Sequence, residues 1–462
     1  MPHHDLVIIG TGSGNVIADE RFAHLDIAIV EEGTFGGTCL NVGCIPTKMF
    51  VHTADLASAT RGSTRFGIDA SVDDVRWPDI RDRIFGRIDP IADAGQRFRE
   101  TSDNITVYAE HARFSGPKQL GLVSGTKVTA DRIVIAAGSR AVIPDVPGLA
   151  DVPLHTSDTI MRIDAVPTSL AILGGGVIAA EMAHVFSALG SKVTVIARSD
   201  VLLRSEDRDV ARRFTEVVSS RWDLRLARTV AKAETSPDGV RLHLCDQLGQ
   251  PDPRPVDAQL LLVATGRTPN SDTLAVAETG VVTHADGRVV VDDFQATAVD
   301  GIFALGDISS RYQLKHVANH EARVVQHNLL HPDDPTRADH RFVPYAIFSN
   351  PQVAAVGRTE QELQASNTPY AVSHEAYGNI AYGWAMEDTT GFAKLLADPA
   401  TGQLLGGHII GPQASTVVQP IVQAMSFGLS AREMARGQYW IHPAMPEVVE
   451  NALLNLPLST DL

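Results

Sequence analysis

The sequence predicts an α/β fold: two Rossmann-like dinucleotide-binding domains followed by a C-terminal α+β domain. Three observations carry this. Strand–glycine turn–helix–strand patterns begin at Asp5 and again at Ser169. Buried-strand patterns return the chain to a sheet at Leu260 and Gly301. Beyond residue 341 the pattern changes to short strands mixed with helices.

The 462 residues suffice for about two to four domains. The net charge of −16 argues against a general nucleic-acid surface. No stretch approaches the ~18–20 apolar residues of a membrane span, and the N-terminus lacks the features of a signal peptide. The expected compartment is the cytoplasm. Arginine far outnumbers lysine, which we read as codon bias.

In the first unit, strand Asp5–Ile9 runs into Gly10-Thr-Gly12-Ser-Gly14-Asn15, then a helical run, then strand Asp26–Val30 ending at Glu31. The glycines allow the backbone to approach a pyrophosphate at a helix N-terminus. Glu31 falls where a carboxylate accepts from a ribose 2′-hydroxyl. Asn15 replaces the third glycine and is expected to loosen helix–strand packing.

Next comes Gly36-Gly37-Thr38-Cys39-Leu40-Asn41-Val42-Gly43-Cys44-Ile45-Pro46-Thr47-Lys48, which holds two of only three cysteines. A cysteine pair in a reducing compartment is catalytic or metal-binding rather than structural. No second pair and no histidine at zinc-ligand spacing accompanies it, which favours redox chemistry. Cys44 precedes a predicted helix, where the helix dipole and a basic neighbour favour thiolate. Helical patterns cover 47–60 and 75–100. Asp131–Gly138 reads as a strand and glycine turn, and Val142–Gly148 as a proline-rich connector.

The second unit has strand Ser169–Leu173, then Gly174-Gly-Gly176-Val-Ile178-Ala179, helix Ala180–Leu189 and strand Lys192–Ile196. Two such units in one chain suggest two dinucleotides, one held and one exchanging. Here the second strand ends at Ala197-Arg198, with Arg204 beyond, instead of an acid. Arginine forks match a 2′-phosphate, so the expected nucleotide is NADPH rather than NADH. The alternative is two solvated surface charges. Leu260–Gly266-Arg267 is a further strand and glycine turn. Gly301–Gly306-Asp307 is a strand whose terminal carboxylate can accept from a ribityl hydroxyl. Cys245, in the alternating strand Arg241–Cys245, is expected to be a small buried hydrophobe.

In the last segment, His442 and Glu447 stand five apart across two prolines. A carboxylate-held histidine shuttles protons near neutral pH. Alone, one of 17 histidines also reads as structural.

Together these segments resemble the class I pyridine nucleotide–disulfide oxidoreductases, with glutathione reductase, dihydrolipoamide dehydrogenase and mercuric reductase as members. The resemblance covers essentially the whole chain and is most specific at residues 36–46 and at His442-Pro443 with Glu447. It implies an FAD domain (1–148), an NADPH domain (149–267), a central domain completing the FAD site (268–340) and an interface domain (341–462). It also implies a homodimer in which His442 serves the partner's cysteines. By resemblance, Cys39 is the interchange thiol, Cys44 the thiol against the flavin, and Lys48–Glu181 the ion pair beside the reactive flavin nitrogen. Gly10, Gly12, Glu31, Thr38 and Asp307 are similar to FAD contacts, and Gly174, Gly176, Arg198, Arg204 and Gly266 to the NADPH site. Gly14, Asn15, Gly37, Ala112, Gly138, Ile178, Arg267 and Gly306 complete the implied cofactor set.

The implied substrate is a low-molecular-weight disulfide. Arg198 and Arg204 argue against a dihydrolipoamide dehydrogenase. The tail Asn455–Leu462 lacks the extra cysteines of mercuric and large thioredoxin reductases. Glu20 stands where glutathione reductases place a substrate-binding arginine, although Arg323 falls at another such position. Val177 replaces an aromatic gate. Asn15, Tyr382–Asp388 and Met434–Trp440 resemble the mycothione-reducing branch, whose substrate is rich in hydroxyls. Dihydrolipoamide dehydrogenase, glutathione reductase and a non-catalytic redox-sensing flavoprotein are the alternatives.

Overall fold

The computed structural model describes residues 1–459; the last three residues of the tail discussed above, Thr460 to Leu462, lie outside it. The chain builds three principal sheets. The first has a parallel core, with His3–Ile9 between Ile27–Val30 and Lys127–Ile135. Ile105–Tyr108 flanks one side and Ile302–Ala304 the other, the latter arriving from far along the chain. Leu6, Val7, Ile8 and Ile27–Val30 are all buried, as expected of parallel strands covered on both faces. An antiparallel hairpin, Ala112–Gly116 with Gln119–Leu122, extends from Lys127–Ile135.

The second sheet is wholly parallel, in the order Asp223–Arg225, Lys192–Ile196, Ser169–Leu173, Leu260–Val263, Leu154–His155. An antiparallel meander, Thr229–Ser236, Gly239–Cys245 and Val256–Ala258, sits beside it. A two-stranded ribbon, Ser139–Ala141 with Arg267–Pro269, ties the ends of the excursion together. The third sheet is five-stranded and antiparallel, running Tyr345–Ile347, Val353–Gly357, Leu404–Ile410, Phe392–Ala397, Ala371–Ala376. Among the described residues no helix is long and apolar enough to cross a membrane.

Two long helices lie between the first two sheets. Cys44–Gly62 starts with Pro46 in its first turn, where a missing N–H costs no intrahelical bond. Trp77–Glu100 begins with Pro78. Phe50 stacks on Trp77 at 4.9 Å, and Trp77 meets Phe186 of helix Val177–Ala188 at 5.5 Å. One apolar core therefore joins the cysteine-bearing helix to the helix of the second dinucleotide unit.

The helical run expected after the first glycine turn is not an α-helix. It folds as two short 3-10 turns, Gly14–Val16 and Glu20–Phe22. The reason lies in long-range hydrogen bonding. Arg99 donates to the carbonyls of Asn15 and Ala18 and, at 2.8 Å, to Asn15 Oδ1. Gln326 donates to the carbonyls of Val16 and Ile17. Carbonyls that an α-helix would use are satisfied from other elements. Close packing is nevertheless kept, at Gly14 rather than at Asn15: a Cβ there would lie 2.6 Å from the Ala136 methyl. Cys245 is half-buried rather than buried, because it ends its strand, with Sγ 3.1 Å from Thr229 Oγ1.

Candidate active site

The cysteine stretch wraps against the first glycine turn. Gly36 and Gly37 have φ of 99° and 67°, and a Cβ on Gly37 would lie 2.8 Å from Gly12 Cα. Only glycine permits that approach. The turn launches a short helix, Gly37–Asn41, which carries Thr38 and Cys39. Gly43 then starts the long helix, of which Cys44 is the first residue.

Both cysteines are unbridged thiols, with Cys39 half-buried and Cys44 exposed. The two thiols interact, and this interaction sorts their charges. Interaction with Cys39 stabilises a thiolate on Cys44, partial desolvation of its sulfur within an otherwise exposed residue opposes this, and the Lys48 ammonium adds to it; Cys44 is lowered to about 6. Cys39 is pushed well above the usual thiol range, first by its interaction with Cys44 and then by burial, while the Lys315 charge opposes the rise. The pair therefore holds one negative charge, on Cys44.

Lys48 stands one turn beyond Cys44. Its Nζ donates to both oxygens of Glu181, at 2.7 and 2.8 Å. Glu181 is 4% exposed and also accepts from the Phe348 N–H at 2.9 Å. Lys48 Nζ sits 4.7 Å from the centroid of the Phe348 ring. A buried carboxylate is tolerable here because its oxygens have partners.

The two glycine turns share a construction. A Cβ on Gly10 (φ 100°) would lie 2.4 Å from Ala136 O, and one on Gly174 (φ 133°) 2.2 Å from Ala264 O. Each turn is pressed against the strand returning beside it. By contrast, a Cβ on Gly12, Gly138, Gly176 or Gly266 would meet nothing within 4 Å. Each cradle thus has a rigid floor and open backbone beside it, which fits a dinucleotide pyrophosphate.

Glu31 anchors the first turn. It accepts from Thr11 N at 2.8 Å, Thr11 Oγ1 at 2.7 Å and Gly33 N at 2.9 Å. Ser139 Oγ donates to Asp307 at 2.7 Å, and Arg267 in turn donates to Ser139 Oγ at 2.9 Å. Gly306 N–H is held by Glu321. Ala112 is buried at the start of its strand, and Ile178 is half-buried near the start of helix Val177–Ala188.

Arg198 and Arg204 are exposed, and among the described residues neither forms an ion pair. Their guanidinium groups are free for an anion. Val177 is exposed at the first turn of its helix, and Glu20 and Arg323 are exposed.

His442 follows a different pattern. Its Nδ1 lies 2.5 Å from Glu447 Oε1, and Glu447 also accepts from Ala444 N at 3.2 Å. The His442 side chain is 70% exposed. No hydrogen bond or ion pair joins it to the cysteines of its own chain among the described residues. The sequence-predicted groups thus fall into a cysteine–lysine–glutamate centre and a separate, outward-facing histidine.

Two participants escaped the sequence reading. Lys315 donates to Ser13 Oγ at 3.0 Å and its charge reaches Cys39, so it borders both cradle and thiols. Arg99 shapes the loop beyond the glycine turn. Neither sits in a local motif.

Residues 4–322 match the family described as pyridine nucleotide-disulphide oxidoreductase, and residues 343–453 match its dimerisation domain. The chain is 54% identical to the mycothione reductase of Mycobacterium tuberculosis, over 99% of this chain and all of that one. It is 32% identical to the dihydrolipoyl dehydrogenase of Mycobacterium leprae, covering 99% and 98%. It is 30% identical to the mercuric reductase of Staphylococcus aureus, covering 93% and 78%. Among solved structures, the HOCl-induced flavoprotein disulfide reductase RclA from Escherichia coli superposes with a TM-score of 0.85 at 26% identity, covering 98% and 99%. Motif, sheet topology and full-length similarity agree: the chain belongs to the FAD-containing, NAD(P)H-dependent pyridine nucleotide-disulphide oxidoreductases.

Proposed function

We propose that the protein is an NADPH-dependent reductase of mycothione, working in the cytoplasm as a homodimer. The observation that carries the substrate is the 54% identity to a mycothione reductase across both whole chains, against 32% or less for the dehydrogenase and mercuric reductase relatives. The unpaired Arg198 and Arg204 support NADPH, since two free guanidinium groups suit a 2′-phosphate. Glu20 in place of an arginine suits a substrate without free carboxylates.

In this reading the FAD unit spans 1–148 with 268–340, the NADPH unit 149–267 and the interface unit 341–462. Gly10, Gly12, Gly14, Asn15, Glu31, Gly37, Thr38, Ala112, Gly138, Gly306 and Asp307 line the FAD site. Gly174, Gly176, Ile178, Arg198, Arg204, Gly266 and Arg267 line the NADPH site. Bound FAD supplies the two-electron relay between nicotinamide and the cysteine pair.

The chain's own residues do the rest. Lys48 keeps the Cys44 thiolate in a positive field, and Glu181 holds the Lys48 ammonium in place. Cys39 loses its proton to the partner subunit's His442, which Glu447 orients through Nδ1. The Cys39 thiolate then attacks one sulfur of the substrate disulfide. An S–S bond forms between Cys39 and one half, and the other half leaves as thiolate, protonated by the same histidine. Cys44 thiolate attacks Cys39 Sγ, closing the Cys39–Cys44 disulfide and breaking the mixed disulfide, and the second half leaves as a thiolate that takes its proton from water. The substrate has gained two electrons and two protons; the cysteine pair has lost two electrons.

Steady-state kinetics with mycothione, oxidised glutathione and lipoamide, each with NADPH and NADH, test this reading. Mycothione with NADPH is expected to give the highest kcat/KM. A higher value for glutathione or lipoamide would overturn the substrate assignment.

A further inference from the structure

Two helices pack against each other: Cys44–Gly62, which begins at the second thiol, and Val177–Ala188, which opens at the second glycine turn. Most of their contact is apolar. Among the described residues, three polar ties cross it. Lys48 binds Glu181. His184 Nε2 donates to Asp55 Oδ1 at 2.7 Å. Arg61 donates to the carbonyl of Ala188, in the last turn of the second helix.

The middle tie has no part in the chemistry above, yet its histidine is 1% exposed. Asp55 is 41% exposed at its side chain. Burying an imidazole for a half-exposed partner is costly unless the contact has a use. The spacing indicates one. Lys48 and Asp55 are about 10 Å apart along their helix, whereas Glu181 and His184 are about 4.5 Å apart along theirs. The two ties therefore converge, like struts of a truss. Sliding either helix along its axis lengthens one tie as it shortens the other. Their polarity is also reversed, with cation then anion on the thiol helix and anion then histidine on its neighbour. Sliding Glu181 along the thiol helix toward Asp55 would bring carboxylate toward carboxylate.

We propose that His184, anchored by Asp55, is a positioning residue that fixes the lengthwise register of these two helices and so holds Lys48 on Glu181 beside Cys44. The role rests on the redox reading of Cys44 and Lys48 but not on the identity of the disulfide substrate. His184 touches neither substrate nor cofactor in this scheme and acts through the ion pair.

The test uses the FAD-loaded full chain with Cys39→Ser as the background, so that Cys44 is the active-site thiol followed. Two quantities are read: the pH dependence of Cys44 alkylation by iodoacetamide, resolved by peptide mass spectrometry, and the rate of NADPH oxidation in a single turnover. His184→Leu is expected to reduce the Cys44 thiolate fraction near its midpoint, and the NADPH rate, by about threefold to tenfold. His184→Gln, whose Nε2 can reach Asp55, is expected to restore both to within about twofold. A His184→Leu protein that keeps both quantities overturns the proposal, as does a His184→Gln protein that restores neither. If His184→Leu does not fold, Asp55→Ala removes the same tie from the half-exposed side, and unchanged values there overturn it equally. Neither readout uses a disulfide substrate, so a wrong substrate assignment leaves the outcome intact.

Discussion

Glu447 grips His442 through Nδ1 at 2.5 Å and leaves the rest of the imidazole facing outward. The carboxylate fixes the tautomer, so Nε2 is the atom offered to a neighbour. His442→Ala should lower kcat by about 10²- to 10⁴-fold, the usual worth of a positioned acid–base group. FAD content should not change. Glu447→Gln should give a smaller loss, since the ring remains but its orientation is less well held. Absorbance spectra and steady-state rates check both.

The interaction between the two thiols predicts an asymmetric titration. Cys44 is lowered to about 6, so its thiolate is present above that pH and is lost as the pH falls through it. Cys39 remains a thiol across the same range. Cys39→Ser should abolish disulfide turnover while flavin reduction by NADPH persists. Anaerobic stopped-flow absorbance distinguishes the two steps. Loss of flavin reduction in a folded, FAD-loaded variant would reverse the two thiol assignments.

Arg198 and Arg204 predict the nucleotide preference. Each charge-assisted hydrogen bond to a phosphate is worth about 1.5–3 kcal/mol. Replacing both by alanine should raise KM for NADPH by at least about tenfold, with little change for NADH. Equal effects on the two nucleotides would return both arginines to solvated surface charges.

Gly10 predicts a failure of cofactor loading. An alanine there would place Cβ 2.4 Å from Ala136 O at a φ of 100°. Backbone on both sides leaves no flexible group to yield. Gly10→Ala should purify with little FAD, measured by the absorbance ratio of flavin to protein.

How much of this was legible in the sequence depends on the range of the interaction. The parallel strands were readable because continuous apolar runs ending in glycine carry their own signal, as at Leu6–Gly10 and Ala171–Gly174. The pairing of Lys48 with Glu181 entered through family resemblance, since 133 residues separate them. Arg99 shows the opposite limit. Nothing local marks it as the residue that takes the carbonyls of Asn15 and Ala18, so the segment after Gly14 read as an ordinary helix. His184 and Asp55 were equally silent, each looking like a routine polar residue within a helical run. Periodicity reports which face is buried; it does not report which buried polar atom finds which partner.

The outward-facing His442 carries a genetic consequence. If each reaction centre draws its thiols from one chain and its imidazole from the other, two dead alleles can rescue each other. A Cys39→Ser chain still supplies a sound histidine, and a His442→Ala chain still supplies sound thiols. Reassociating equal amounts should yield hybrids with one intact centre each, and roughly a quarter of wild-type turnover if pairing is random. Either variant alone should show none of that recovery. A mixture no better than its parents would place histidine and thiols on the same chain.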